Sequence, residues 1–418
     1  MNGNQTNKIY LSESARCLHC ANPSCANACP LHNDVSGFLG RVADGKLDEA
    51  VQLLGHPFGE ICGFVCPHDA CCHGNCVLNK RGQGVKMGEV EREVCAANHY
   101  KVERKIRAGS KSSGLKVAVV GGGVSGITCA VKLYEQGADV TVFERDGLLS
   151  TLKLIPSFRL PRQAIDRVLQ AVDGKFEVVT RDVNFEDIFV RKHYPWQTKT
   201  QKNKIGESLQ LTDAFDAVYV ATGASVPYTL GVKGEALATP YDTFLKKENY
   251  SGRVVVIGGG NTAMDCARQA KRCGCEVTVA YRRTRADMPA FNREIEDAAS
   301  EGVDFQFNLA PVKLERNGDK LLLTLAKTVS EGRGKLTVTE DTTTVECDEV
   351  VAALGSKFDS ENVYGAFIQS LLNPLNPHNP RFNLFVGGDA LGASTVANAV
   401  ADGMKVAHAI VKQYTKSK

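Results

Sequence analysis

The chain has 418 residues, of which 43% are hydrophobic, 23% charged and 7% aromatic. This globular composition excludes disorder, collagen-like repeats and coiled coils, and at roughly 150 residues per domain the length fits two to three domains. A formal net charge of +3 offers no broad basic surface to nucleic acid.

The cysteines come first along the chain and carry the first sharp signal. Of 15, nine lie between Cys17 and Cys76, and Cys95 follows. The opening MNGNQTNKIY lacks the basic-then-apolar pattern of a secretory signal, and there is no run of about 18 apolar residues. A cytoplasmic chain without a membrane span is therefore expected. Crowded cysteines in that compartment argue for metal or cluster ligation rather than disulfides. Cys17, Cys20, Cys25 and Cys29 read C-x2-C-x4-C-x3-C, with Pro30 behind the last. Cys62, Cys66, Cys72 and Cys76 form a second quartet, with Pro67 after Cys66. Cysteine runs ending in Cys-Pro are typical of iron–sulfur proteins. Two zinc sites of four thiolates each explain the spacing about as well, but not the two nucleotide motifs that follow.

Between the quartets, VSGFLGRVADGKLDEAVQLL has apolar residues at helical spacing from Val35 to Leu54, interrupted at Gly45. The first hundred residues are thus read as helical. KVERKIRAGSKSSG (101–114) is basic, then small, and reads as a solvated linker.

LKVAVVGGGVSG (115–126) runs from strand to glycine turn, ITCAVKLYEQG continues as a helix, and ADVTVFE (138–144) is the next strand. This is the start of a βαβ unit with a parallel sheet. Gly121, Gly123 and Gly126 form GxGxxG, and Glu144 ends the second strand, where an acid grips ribose hydroxyls. Bare amides at the helix N-terminus suit a pyrophosphate. The pattern returns at RVVVIGGGNTAMDCARQAKRCG (253–274) and EVTVAY (276–281), with Gly258, Gly260 and Ala263 in the glycine positions. Here no acid ends the second strand; Arg282 and Arg283 stand there, with Arg285 close behind. A guanidinium fork at that point suits the 2′-phosphate of NADP; a solvated basic turn beside an NAD site is the alternative. AFDAVYVATGA (214–224) and FNLFVGGDA (382–390) read as short strands that finish the first sheet, which makes the second unit an insertion.

RCLHCANPSCANACP, ICGFVCPHDACCHGNCVLNKRG, VAVVGGGVSG, FRLP, ATGA, VVVIGGGNTAMD, YRRTRADMPA and GGDA occur in that order. With them, the chain resembles the glutamate synthase small-subunit family over nearly its whole length. That family includes the flavin and iron–sulfur part of dihydropyrimidine dehydrogenase and the large subunit of NADH-dependent ferredoxin:NADP oxidoreductase. The resemblance implies an α/β protein: an α-helical iron–sulfur domain (1–110), then two nested Rossmann-like dinucleotide-binding domains. FAD would be held by 111–228 and 351–418, and NAD(P) by 229–350.

The resemblance also implies interleaved ligation of two 4Fe–4S clusters. Cys17, Cys20, Cys25 and Cys76 would share one, and Cys29, Cys66 and Cys72 the other, with Glu91 of MGEVERE as the fourth ligand. Cys62 and Cys71 become ordinary buried thiols, while His68, Asp69 and His73 are read as solvated loop residues. Gly388, Asp389 and the helix start at Thr395 match the family's flavin contacts, and Asn261 and Thr262 lie in its pyridine-nucleotide motif. The chain departs from the family where Leu148 and Leu149 replace a glycine pair and Leu154 replaces the glycine before Ile155-Pro156.

The function so implied is electron input. NAD(P)H reduces FAD, and electrons leave singly through the clusters to a separate catalytic subunit in a hetero-oligomer. That partner is expected to be dihydropyrimidine dehydrogenase-like, with a glutamate synthase as second choice, and neither nucleic acid nor membrane is an expected partner. No side chain is assigned a catalytic role, because the cofactors supply the reactivity. Two rivals are a thioredoxin reductase-like enzyme, for which Cys273 and Cys275 are the only close pair after Cys95, and a cluster-bearing subunit without flavin.

Overall fold

The computed structural model describes residues 9–104, 113–183, 211–224, 226–331, 335–357, 383–392 and 395–416. They fall into two compact units: one within Met1–Lys153, Ser157–Ala224 and Phe358–Lys418, the other Ser225–Lys357 with Leu154–Pro156. The chain leaves the first unit after Ala224 and returns to it at 358, so the second is an insertion.

The first unit opens with short helices. Asp34 caps Val35–Ala43 by accepting from the Gly37 amide at 2.8 Å, and Gly45 turns the chain at φ +76 before Leu47–Leu54. Gly59–Val65 and Met87–Ala97 follow. Phe38, Leu39, Val42, Val51, Phe58, Ile61, Val90 and Val94 are fully or nearly fully buried. The segment expected as a solvated linker departs from that reading in its first residues. Val102 is buried, Lys101 pairs with Asp48 at 3.3 Å and Arg104 with Asp139 at 3.0 Å. Residues 105–112 lie outside the described residues.

The sheet of this unit is parallel, in the order Leu384–Val386, Ala217–Val220, Lys116–Val120, Asp139–Glu144, Glu177–Thr180. Its first strand and Ala217–Val220 are near-continuous apolar runs because helices cover such a sheet. Val124–Glu135 packs on it through Cys129, Ala130 and Leu133, joined by Ala407 and Ile410 of the closing helix Val396–Lys416. Polar clasps tie the helical part to this sheet's helices. Arg167 grips Glu60, 5% exposed, through Nε at 2.7 Å and Nη2 at 2.5 Å. Tyr100 donates to Glu135 at 2.6 Å, and Lys132 reaches the same carboxylate at 2.6 Å. Loss of either partner of a buried pair strands a charge, at a cost of about 3–5 kcal/mol.

His56 sits beside these clasps with 1% exposure. Its Nδ1 accepts from the Phe58 amide at 3.1 Å, while Nε2 has no hydrogen-bond partner among the described residues. Burial, reinforced by the Lys132 charge, holds its pKa down to about 3. Below pH 6.5 the unfolded chain binds a proton here and the folded chain does not, so stability falls as pH drops from 6.5 toward 3. The full loss is about 5 kcal/mol. His56→Asn keeps an acceptor for Phe58 and does not titrate. Its urea midpoint, followed from pH 7 to pH 4 beside that of the unsubstituted protein, is expected to fall less steeply.

The second unit repeats the same parallel order: Thr239–Pro240, Glu349–Ala352, Arg253–Ile257, Glu276–Tyr281, Asp304–Phe307. Between the last two chain segments of that sheet lies a three-stranded antiparallel meander, Leu309–Asn317, Lys320–Glu331 and Lys335–Cys347. Its inner face, with Leu314, Leu323, Leu325 and Cys347, packs on Val255, Ile257 and Val350.

Candidate functional site

Cysteines of the two runs come together in space. Cys17, Cys20, Cys25 and Cys76 line one pocket, partly open to solvent, with apolar walls from Leu18, Val35, Leu39, Val77 and Met87. Cys72 lines the same pocket. Burial pushes the Cys25 thiol up, and the sulfurs of Cys76 and Cys17 add to the shift. Sulfurs spread around such a pocket suit a cluster better than one zinc ion held by four thiolates at about 2.3 Å. Among the described residues no group of three or more His, Cys, Asp and Glu closes on a single metal ion.

Cys29 stands instead with the other set. Burial raises its thiol and those of Cys66 and Cys72, and Glu91 acts on all three. Glu91 lies on Met87–Ala97 at the phase of Met87, Val90 and Val94, so the helix buries it to 5% exposure. Burial lifts its carboxyl to about 8. Glu91 acts on Cys62 and Cys95 as well, so the buried carboxyl lies among cysteine thiols, with no basic group among the causes of its shift. Cys62, on Gly59–Val65, is fully buried with its thiol pushed well up, and Glu91 and Cys66 contribute. Cys71 is buried, with its sulfur beside Cys66.

Two loop histidines correct their reading as solvated residues. His68 lies half-buried, with Nδ1 3.3 Å from Cys72 Sγ and Nε2 3.1 Å from the Cys62 carbonyl. His73 Nδ1 is 3.1 Å from the Val85 carbonyl. Asp69 is solvated, at 77% side-chain exposure. A histidine next to cysteines of a ligand run was the available signal for His68; spacing alone does not show which way its ring turns.

At the first nucleotide motif, Gly121 turns at φ +108, and a Cβ there would lie 2.4 Å from the Ala221 carbonyl. A Cβ on Gly126 would lie 1.9 Å from the Gly121 carbonyl, so the helix Val124–Glu135 approaches the strand only through glycine. A Cβ on Gly123 would meet nothing, which leaves the helix N-terminus bare. Glu144 holds the Gly122 amide at 2.5 Å and the Asp146 amide at 2.8 Å, so its carboxylate sits against the loop. The second flavin motif arrives at the same place. A Cβ on Gly388 would lie 3.0 Å from Ser125 Cβ, and the Gly388 amide donates to Asp402 at 2.5 Å. Ser125 in turn bonds Tyr219 at 2.8 Å. The sequence motifs did not reveal Ser125, Tyr219 and Asp402, which clamp the two loops together. Asp389 is exposed, and Thr395 caps the closing helix through the Asn398 amide at 3.1 Å.

The leucines that replace glycine here are accommodated. Leu149 adopts φ +57, the conformation glycine takes freely, and its amide donates to the Gly122 carbonyl at 2.9 Å. That backbone costs a leucine about 1–2 kcal/mol, and complete burial of the side chain offsets it by about 1.5–3 kcal/mol. Leu148 leans on the loop, its Cδ2 2.6 Å from where a Gly122 Cβ would stand. The loop, Glu144 and Gly388-Asp389 lie together and suit an adenine dinucleotide.

The second motif is built alike. A Cβ on Gly258, at φ +146, would lie 2.2 Å from the Ala353 carbonyl, and one on Gly260 would meet nothing. Ala263 is fully buried in the helix Asn261–Arg272, Asn261 accepts from the Phe291 amide at 2.9 Å, and Thr262 is half-buried. Arg282 and Arg285 are exposed and Arg283 half-buried, just past Tyr281. Thr328 donates to the Arg282 carbonyl at 2.7 Å, which fixes the backbone from which that guanidinium reaches out. Positive charge at this strand end fits a phosphate on the ribose. Cys273 is exposed and Cys275 buried at the far end of the same helix.

Residues 115–403 match the family model described as pyridine nucleotide-disulphide oxidoreductase, and residues 1–103 the one described as dihydropyrimidine dehydrogenase domain II, 4Fe-4S cluster. The chain is 32% identical to the glutamate synthase (NADPH) small chain of Escherichia coli (strain K12), over 96% of this chain and 90% of that one. It is 31% identical to the NADP(+)-dependent formate dehydrogenase subunit beta of Moorella thermoacetica, over 92% of this chain and 59% of that one. Among solved structures, Lactococcus lactis thioredoxin reductase superposes with a TM-score of 0.53 at 17% identity, covering 72% of this chain and 99% of that one. Mycobacterium tuberculosis FprA in complex with NADPH gives 0.51 at 17% identity, over 73% and 85%. These two likenesses show the fold. Among the described residues no helix is long and apolar enough to cross a membrane. With both nucleotide loops in one match and the cysteine runs in the other, the chain is an oxidoreductase of the pyridine nucleotide-disulphide oxidoreductase family and belongs, over nearly its whole length, with the glutamate synthase small chains.

Proposed function

We propose that the chain is an electron-input subunit that takes reducing equivalents from NADPH and delivers them singly to a separate catalytic subunit, with FAD and two 4Fe–4S clusters supplying the redox chemistry when bound. The observation that supports this reading is that Cys76 lines a pocket with Cys17, Cys20 and Cys25, while Cys29 and buried Glu91 both act on Cys66 and Cys72.

In this reading Cys17, Cys20, Cys25 and Cys76 hold one cluster, and Cys29, Cys66, Cys72 and Glu91 the other, while Cys62 and Cys71 hold no iron. Gly121, Gly123 and Gly126 give backbone approach to the flavin's pyrophosphate, Glu144 takes a ribose hydroxyl, and Gly388, Asp389 and the Thr395 helix start hold the remainder. Gly258, Gly260, Asn261, Thr262 and Ala263 do the same for NADPH, and Arg282 and Arg283 read its 2′-phosphate. The domain division that goes with it is 1–110, 111–228 with 351–418, and 229–350.

For the partner, a dihydropyrimidine dehydrogenase-like subunit is supported by the match of residues 1–103. Full-length similarity to glutamate synthase small chains, in Azospirillum brasilense as well as Escherichia coli, favours the second reading, a glutamate synthase-type partner. Anaerobic addition of NADPH tests the input step itself. Flavin absorbance is expected to bleach within turnover, with paramagnetic cluster signals following, and NADH is expected to act more weakly. A flavin-free protein, or one whose flavin ignores both nucleotides, contradicts the proposal.

A further inference from the structure

We propose that His68 is a positioning residue for the Cys29–Cys66–Cys72–Glu91 site, where its ring donates a hydrogen bond to the Cys72 sulfur and raises the reduction potential of the cluster held there. The inference rests on the cluster assignment above and adds a residue that the ligand pattern does not include.

Three contacts fix the ring. Nδ1 lies 3.3 Å from Cys72 Sγ, within hydrogen-bonding range for sulfur, and Nε2 lies 3.1 Å from the Cys62 carbonyl. The third contact is with Gly88, where a Cβ would stand 2.4 Å from His68 Nε2. The absence of a side chain at Gly88 therefore makes the space for the imidazole. Gly88 is in the first turn of Met87–Ala97, one turn ahead of Glu91. The ring is thus wedged between the end of Gly59–Val65, the Cys72 loop and the helix that carries the carboxylate ligand.

The direction of the effect follows from charge. A ligating thiolate only accepts, so the proton of the Cys72 contact belongs to Nδ1, while Nε2 lies against the Cys62 carbonyl. Adding an electron to a cluster places more negative charge on its sulfurs, and a donor to a ligand sulfur stabilises that state more than the oxidised one. Glu91 works the other way. A carboxylate is a harder ligand that favours the oxidised iron, so His68 offsets part of its effect.

The test is an EPR-monitored potentiometric titration of the full chain at fixed pH, with iron and sulfide counts, on His68→Phe and His68→Asn. Phe keeps a planar ring without a donor. The Asn amide nitrogen falls where Nδ1 stands and keeps the donor to Cys72. The midpoint of the Glu91-bearing cluster is expected to move to a more negative potential in His68→Phe and to recover most of that shift in His68→Asn, with the other cluster unmoved in both. Should His68→Phe fail to assemble the cluster, a His68→Asn protein with full iron and a near-native midpoint still supports the proposal. Equal shifts in Phe and Asn, no shift in Phe at full iron content, or loss of the cluster in both overturns it. Iron and sulfide in the unsubstituted protein separate the two layers of the argument. Absence of a second cluster there removes the assignment and this proposal together, whereas two clusters whose midpoints ignore His68 remove this proposal alone.

Discussion

Glu91→Ala is expected to lose one cluster, or leave it labile, while the all-cysteine cluster and the flavin persist. Glu91 is the only carboxylate acting on Cys29, Cys66 and Cys72 together among the described shifts, and alanine leaves that set one donor short. The counterpart is Cys62→Ser. Cys62 is buried and near the site, but the exchanged scheme gives it no iron, so both clusters are expected to remain. The scheme that keeps each cysteine quartet intact needs Cys62 and predicts the reverse pair of outcomes. Low-temperature EPR of the reduced variants with iron counts distinguishes them: loss of about four iron atoms, one cluster, in Cys62→Ser, beside an undisturbed Glu91→Ala, contradicts the assignment. Glu91→Cys is expected to keep the cluster at a shifted potential, since thiolate bonds iron more covalently than carboxylate.

Neutralising the arginines past Tyr281 is the second large effect. The pair Arg282→Gln and Arg283→Gln is expected to raise the KM for NADPH by about ten- to a hundredfold and leave NADH nearly unaffected. A charge-assisted phosphate contact is worth about 1.5–3 kcal/mol. Arg282 is expected to carry the larger share, because it is exposed where Arg283 is half-buried. Steady-state kinetics with both nucleotides decides it; equal effects on NADPH and NADH mean that neither guanidinium reads the phosphate.

The nested α/β architecture was legible because two short apolar strands each ran into glycines that nothing else can replace. Gly121, Gly126 and Gly258 each lie with a backbone carbonyl under 2.5 Å from any added Cβ. The strands Ala217–Val220 and Leu384–Val386 were legible as pieces of the first sheet because each ends in a glycine-containing turn after an apolar run. The meander Leu309–Cys347 was not read. Its strands carry threonines, lysines and glutamates on the outer face, and the apolar inner positions alternate only weakly in KLTVTEDTTTVEC. The Gly318-Asp319 turn joining Asn317 to Lys320 was the signal present.

At the cysteine site, spacing gave the two runs but not which sulfurs meet. Cys76 reaches Cys17, Cys20 and Cys25 across some fifty residues of chain, a tertiary contact that no local pattern records. Glu91 illustrates the same limit. It sits among Glu89 and Glu93, and only the helical phase shared with Met87, Val90 and Val94 shows which of the three is buried. His68 was misread because a polar Cys-Pro-His-Asp loop looks solvated until Gly88 is seen to make room for the ring.

The most direct measurement is the composition of the anaerobically purified chain: iron, acid-labile sulfide, zinc and flavin per polypeptide. Two clusters and one FAD predict about eight iron and eight sulfide atoms, one flavin and no stoichiometric zinc. Two zinc ions per chain without sulfide contradict the cluster reading outright, and eight iron atoms without flavin contradict the input role while leaving the clusters in place.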